Sequence, residues 1–436
     1  MTNDYPKVLI IGLSFETNTG SGITLTNQFK GWNPSRLAVV AETIFADESM
    51  CANNYQLGYR ENKRRFPFNL IQKKNVSGIV HPQPKATISG QVNGKTSFLK
   101  KTYLQILEFS GLYYYSRNLR LSKEFEEWVL AFEPDYIYST ANEPEVIHFV
   151  KQVQQITQAK IITHIWDDLI KNYFNKPGLF YRYRKEKNNR EFTDLLKNTD
   201  IGLCISSAMA KEYYERYGIA LQVFHNCLDF SSNIYAAGHK LTTGEPFVIL
   251  YAGRIGIGIS DCLIDVCAAI EQLPAGKFEF HIQTTSSHAT LDQLRKYPFV
   301  KIRPVVPYGE IPGILASADL LLLPYNFDRD SVTSMRLSMP TKIPEYMISG
   351  TPILLYAHKE MYLTDFAREN DVAYVLTENK TEAIAGAIMF LYSDSELRAR
   401  MGEIARKYAQ EHFDAVKVRA TFAGVLRERL EIEPSI

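Results

Sequence analysis

The 436-residue chain has only five cysteines and three tryptophans. Cys51, Cys204, Cys227, Cys262 and Cys267 form no C-x-x-C pair, which argues against a zinc ribbon or a dithiol redox centre. Cys204 lies inside the apolar run IGLCI, as expected of a reduced packing cysteine. No stretch approaches the roughly 18 apolar residues of a membrane-spanning helix. The run that follows Asp4 in MTNDYPKVLIIGLS is too short for a span or a signal peptide, so a cytoplasmic chain is expected. G-x-G-x-x-G is also missing: GSGITL places Leu25 where the third glycine belongs, which disfavours a dinucleotide site. Near that glycine pair there is no D-x-D triplet and no His and Asp cluster with ligand spacing, so neither a metal nor a cofactor is expected. A net charge of +1, an isoelectric point near 7.6 and the lack of a recognition module leave no reason to expect nucleic acid as a partner.

What the chain does have is length, and an uneven charge. Its 436 residues suit two domains of about 200 residues each. Residues 1–230 hold 28 Lys and Arg against 23 Asp and Glu, and residues 231–436 hold 21 against 25, so the halves carry +5 and −4. Residues 60–120 concentrate the excess, with twelve basic residues, among them Arg64, Arg65, Lys73, Lys74, Lys100 and Lys101, against Glu61 and Glu108. Within that insert, SFLKKTYLQILEF has near-helical apolar spacing with lysines between. It reads either as an amphipathic helix on the first sheet or as a surface for anionic lipid or a lipid-linked substrate.

Short apolar runs alternate with helical patterns in both halves, the signature of parallel sheets with crossover helices. Strands are expected at 8–14, 37–42, 136–140, 160–166, 201–205 and 221–225 in the first half. The second half offers 247–253, 278–284, 319–325, 352–356 and 372–376, after a polar linker at 235–246. The resulting domains are 1–230, with the basic and aromatic insert at about 50–120, and 231–436.

In open parallel sheets, ligands gather beyond the carboxyl ends of the strands. One loop there, FETNTGSGITLTN, holds Gly20, Ser21 and Gly22 before a helix expected near Ile23, a turn able to bring N–H groups to a phosphate. A plain strand-to-helix turn explains it equally well. The other leads into MPTKIPEYMISGTPI. Pro340 and Pro344 are tolerated only near a helix start, so a helix begins near Thr341, ends at Gly350 and is followed by the strand PILLY. Lys342 and Glu345 then share a face, the lysine suited to a phosphate and the carboxylate to vicinal ribose hydroxyls. A solvated ion pair is the plainer reading. HIWDDL adds His164, Asp167 and Asp168 at the end of a central strand, as acid-base groups or as helix caps.

The order GRIG, ILASADLLLLPY, PTKIPEYMISGTPI resembles the carboxyl-terminal domain of family 4 (group 1) glycosyltransferases. TGSGITLTNQFKGW, HIWDDL and CISSAMAKEYYERYG resemble its amino-terminal half. The resemblance implies a GT-B fold: two Rossmann-like, doubly wound parallel-sheet α/β domains facing across a cleft. The first would bind acceptor and the second the nucleotide-sugar donor, with the final helices packing back toward the first. It further implies that Arg254 and Lys342 neutralise a donor diphosphate while Glu345 binds the ribose. Gly20, Ser21, Gly22, Tyr308 and Asp330 complete the donor side, and His164, Asp167 and Asp168 form the catalytic group. The sequence departs from the family at two points. The first glutamate of E-x7-E falls on Leu337, and the lysine five residues after the Arg of GR falls on Ile259. Asp328 or Asp330 would then take over the sugar contacts.

The implied activity is metal-independent, hexosyltransferase-like transfer from a nucleoside-diphosphate sugar to a glycan or lipid-linked glycan, in cell-surface polysaccharide or glycoconjugate synthesis. The basic insert would bring the enzyme to the inner membrane face. The alternatives are a GT-B nucleotide-sugar 2-epimerase or hydrolase, and a catalytically inactive nucleotide-sugar-binding scaffold.

Overall fold

A computed structural model describes residues 5–16, 20–45, 49–66, 68–72, 75–81, 107, 109–110, 118–168, 179–230, 235, 245–256, 258–286, 288–304 and 306–431. The chain divides into two compact units, Met1–Phe224 with Arg419–Ile436, and His225–Val418. Most of the insert's expected helix, Lys73, Lys74, Lys100 and Lys101, and most of the 235–246 linker lie outside the described residues.

Every apolar run named above forms a strand. In the first unit these are β1 (Val8–Ile11), β2 (Leu37–Ala41), β5 (Tyr136–Ser139), β6 (Lys160–Ile165), β7 (Ile201–Cys204) and β8 (Gln222–Val223). Two strands were not expected, β3 (Asn53–Gln56) and β4 (Gly78–Ile79). The sheet order is β4-β3-β2-β1-β5-β6-β7-β8, parallel except where β4 runs against β3. Helices α1 (Gly20–Phe29), α2 (Lys123–Phe132), α3 (Pro144–Thr157), α4 (Tyr181–Lys197) and α5 (Ser207–Tyr217) cross between the strands. Because a parallel sheet is covered on both faces, its inner strands read as unbroken apolar runs, and all four residues of β1 are fully buried.

The second unit orders its strands β11-β10-β9-β12-β13-β14, all parallel. They are β9 (Phe247–Ala252), β10 (Phe278–Gln283), β11 (Val300–Arg303), β12 (Leu320–Pro324), β13 (Ile353–Tyr356) and β14 (Tyr374–Leu376), of which only β11 was not expected. The helices are α6 (Ser260–Glu271), α7 (Thr290–Leu294), α8 (Ile311–Ala316), α9 (Arg329–Met335), α10 (Ile343–Ser349), α11 (Tyr362–Glu369), α12 (Thr381–Ser393) and α13 (Ser395–His412). The greater part of α14 (Ala415–Glu431), from Arg419 on, belongs to the first unit, where Phe422 meets the Phe29 ring edge-on at 5.3 Å. Strand order reverses direction between β1 and β5 in one sheet and between β9 and β12 in the other. These are the topological switch points at which open sheets bind ligands. Among the described residues, no helix is long and apolar enough to cross a membrane.

The short helix α10 is held from outside. Gly350, at φ 75°, supplies its left-handed cap. The long helix α13 passes so close that a Cβ on Gly402 would lie 1.8 Å from the Gly350 carbonyl oxygen. From the same helix, Arg406 donates to the Ile348 carbonyl at 3.1 Å. Gly402→Ala should therefore push α13 off α10 and destabilise the protein by about 1–3 kcal/mol, as overpacking does. Calorimetry should record a melting temperature lowered by several degrees; an unchanged value would mean that this close approach is not a constraint.

Candidate functional site

The second unit's site begins at the carboxyl end of β9, beside the β9/β12 switch point. Tyr346 of α10 pins that end, accepting from the Ala252 N–H at 2.9 Å and donating to the Ala252 carbonyl at 3.1 Å. The chain then turns through Gly253 at φ +151°, where a Cβ would stand 2.2 Å from Lys342 Nζ. Glycine there provides both the backbone conformation and the room for the lysine. The ammonium donates to the Tyr251 hydroxyl at 3.1 Å and stands 4.6 Å from the centre of its ring. The Tyr251 hydroxyl in turn donates to the Arg254 carbonyl at 2.5 Å. A cation on an aromatic face, with a hydroxyl as its acceptor, is held in place without being neutralised.

Glu345 lies one turn further along α10 and accepts from the Tyr308 hydroxyl, which is within 3.5 Å of the Tyr235 hydroxyl. Neither Lys342 nor Glu345 is closed off from solvent, yet desolvation dominates both. It takes Lys342 down to about 8, with the Arg254 charge acting in the same direction and Glu345 opposing it. It raises Glu345 to about 7 against the Tyr308 hydrogen bond and the Lys342 charge. Burial, and then the Glu345 charge, also holds the Tyr308 hydroxyl well above its ordinary value. The arrangement suits an anion that would supply the charge Lys342 lacks, with a carboxylate three residues away as a hydrogen-bond acceptor.

The other expected donor residues are placed differently. Arg254 is exposed on the turn after β9, and Asp330 is exposed in the first turn of α9. Asp328 caps that helix, accepting from the Ser331 N–H at 2.9 Å, and these bonds hold its carboxyl below the usual range. Asp328 is itself exposed. Leu337, at the position of the family's first glutamate, is buried.

Gly20, Ser21 and Gly22 belong to the first unit and form the first turn of α1 instead of a loop before it. Gly22 is needed for packing, since a Cβ there would strike the Glu16 side chain at 2.0 Å. The adjoining cleft of about 320 Å³ is lined by Ser21 together with Glu16, Glu42 and Glu143.

His164 ends β6 with 1% of its surface exposed, its Nδ1 2.7 Å from the Tyr138 hydroxyl. Asp168 is buried, and Arg216 of α5 donates to both of its oxygens at 2.9 Å. That bidentate pair ties Asp168 to α5. Asp167 remains accessible, and desolvation followed by the Asp168 charge raises its pKa. The sequence reading missed Tyr251, Gly253, Tyr346 and Tyr235. The first three lie in or beside apolar runs, where a tyrosine or glycine among aliphatic residues was the available signal. Among the described residues, no group of three or more His, Cys, Asp or Glu could hold a metal ion.

Lys342→Ala and Glu345→Ala should each weaken nucleoside diphosphate binding more than tenfold while leaving the protein folded, since a charge-assisted hydrogen bond contributes roughly 1.5–3 kcal/mol. Titration calorimetry with circular dichroism checks both halves of this expectation; wild-type affinity in both variants would move the anion elsewhere.

Residues 295–408, which include α10, match the family described as glycosyl transferases group 1. No curated protein sequence matches the chain significantly. Among solved structures, Anabaena HepE in complex with UDP superposes with a TM-score of 0.58 at 15% identity, covering 97% of this chain and 100% of that one. A glycosyltransferase from Rickettsia africae gives 0.59 at 14% identity, covering 99% and 100%. WaaG, a glycosyltransferase involved in lipopolysaccharide biosynthesis, gives 0.55 at 13% identity, covering 96% and 99%. The chain thus has the GT-B fold and carries, around Lys342 and Glu345, the family segment of the group 1 glycosyl transferases.

Proposed function

We propose that the chain is a glycosyltransferase that moves a sugar from a nucleoside-diphosphate sugar to a glycan or lipid-linked glycan acceptor, in the synthesis of a cell-surface polysaccharide or glycoconjugate. The observation that carries this reading is the Lys342 ammonium, held over Tyr251 in the space left by Gly253, with Glu345 one turn away. Anabaena HepE has also been crystallised with UDP-glucose, which makes a uridine nucleotide the first donor to try.

In this reading Lys342 and Arg254 face the donor diphosphate, and Glu345 accepts from the ribose hydroxyls. As the bond between the sugar's anomeric carbon and the phosphate oxygen breaks, negative charge grows on the departing diphosphate. The two cations stabilise that charge. The acceptor hydroxyl forms the new bond to the anomeric carbon and gives up its proton. Asp167, accessible and with a raised pKa, is the acceptor-side carboxylate suited to receive it. The alternative of an epimerase or a scaffold gains no specific observation.

Fixed side-chain cations do here what a divalent ion would otherwise do, so transfer should be metal-independent. UDP release from a panel of UDP-sugars should proceed at the same rate in excess EDTA. Loss of turnover in EDTA and its return with magnesium or manganese would show that Arg254 and Lys342 do not suffice.

A further inference from the structure

Helix α4 extends beyond its own packing. Its last turns are fixed in the first unit by buried Phe192, Leu195 and Leu196, by the Phe192 and Tyr213 rings at 6.3 Å, and by the Lys151–Asp194 ion pair. From Tyr181 to Glu191 no residue is buried, a helical stretch about 16 Å long at 1.5 Å per residue. Such a stretch is usually polar all round, yet this one opens with large apolar side chains in solvent. Leu179 is 52% exposed, Phe180 70% and Tyr183 69%. Phe109, 60% exposed, joins them through the 2.7 Å bond from the Leu179 N–H to its carbonyl.

Phe180 occupies the left-handed region at φ 59° and ψ 21°, and its side chain makes no capping bond. A bulky residue is rarely found there. Phe180, Tyr183, Lys187 and Arg190 recur at the spacing of one helix face, and all four are exposed. Residues 180–190 carry five basic side chains, Arg182, Arg184, Lys185, Lys187 and Arg190, against the single acid Glu186. Lys187 is 3.8 Å from Glu191, an exposed pair that leaves the cationic surplus in place.

We propose that the amino-terminal half of α4, with Leu179 and Phe109, is a docking surface for an anionic lipid bilayer. The aromatic and leucine side chains enter the headgroup boundary, and the arginines and lysines meet lipid phosphates. Charge complementarity selects this occupant: the apolar end supplies area and the stripe behind it supplies positive charge. The inference deepens the lipid-linked acceptor reading by naming the surface that would bring the chain to such an acceptor. It is independent of donor binding, which belongs to the second unit.

The test is co-sedimentation of the full-length protein with phosphatidylglycerol vesicles and with phosphatidylcholine vesicles, alongside UDP titration of the same preparations. The wild type should sediment with the anionic vesicles at low salt and release at about 0.5 M salt. Each basic residue near such a surface is worth roughly fivefold in partitioning, so the Arg182→Glu, Arg190→Glu double variant should lose at least tenfold. Phe180→Ser with Tyr183→Ser should also lose binding, and both variants should keep wild-type UDP affinity. Equal or absent sedimentation with the two vesicle types, or wild-type partitioning by both variants, overturns the proposal. Binding to soluble polyglutamate in place of vesicles, lost in the same variants, also overturns it and assigns the surface to an acidic protein. Loss of UDP binding by the wild type would count against the transferase reading and leave the vesicle result standing.

Discussion

The second unit is organised around a lysine ammonium that has no ion-pair partner among the described residues. Lys342 reaches the end of β9 because residue 253 has no side chain, and it rests on Tyr251, which offers a ring face and a hydroxyl. Burial leaves the ammonium with a pKa of about 8, so at neutral pH it still carries its charge but little of its usual hydration. Strand order, the Gly253 turn, the Tyr346 bridge to Ala252 and the close approach of α13 at Gly402 all bear on the position of α10. Each therefore bears on that one nitrogen.

The first unit applies different chemistry to the same sheet architecture. Its switch-point cleft presents Glu16, Glu42 and Glu143, and its central polar residues are tied to one another, His164 to Tyr138 and Asp168 to Arg216. The residues read together from the sequence stand in different surroundings: Gly22 packs against Glu16, Asp168 is paired with Arg216, and Asp167 is exposed.

Much of this was legible in the chain. Inner strands of parallel sheets are apolar on both faces, so VLII, PILLY and DLLLLPY announced themselves, and Pro340, Pro344 and Gly350 bracketed α10 to within two residues. The strands that escaped notice, β3, β4 and β11, lie at or next to sheet edges. An edge strand leaves one side unpaired and bears polar residues, as VKIR does, and NNYQ, with only the two-residue β4 outside it, is polar too. Lys342 and Glu345 could be named because their spacing is local. Tyr251 and Tyr308 meet them from 91 and 37 positions away, and Tyr235 meets Tyr308 from 73, contacts that only the tertiary fold creates. Pairing across such separations leaves no periodic trace, which is also why Arg216 hid the fate of Asp168.

The central claim is that Lys342 waits at the edge of its titration for a diphosphate. An anion arriving beside it raises its pKa, so near pH 8 binding must draw a proton from the buffer, while Glu345, at about 7, is already largely ionised. The direct measurement is the heat of UDP binding at about pH 8 in buffers of different ionisation enthalpy. Net proton uptake of a few tenths per site, abolished by Lys342→Ala, is the result predicted; a binding heat independent of the buffer would contradict it.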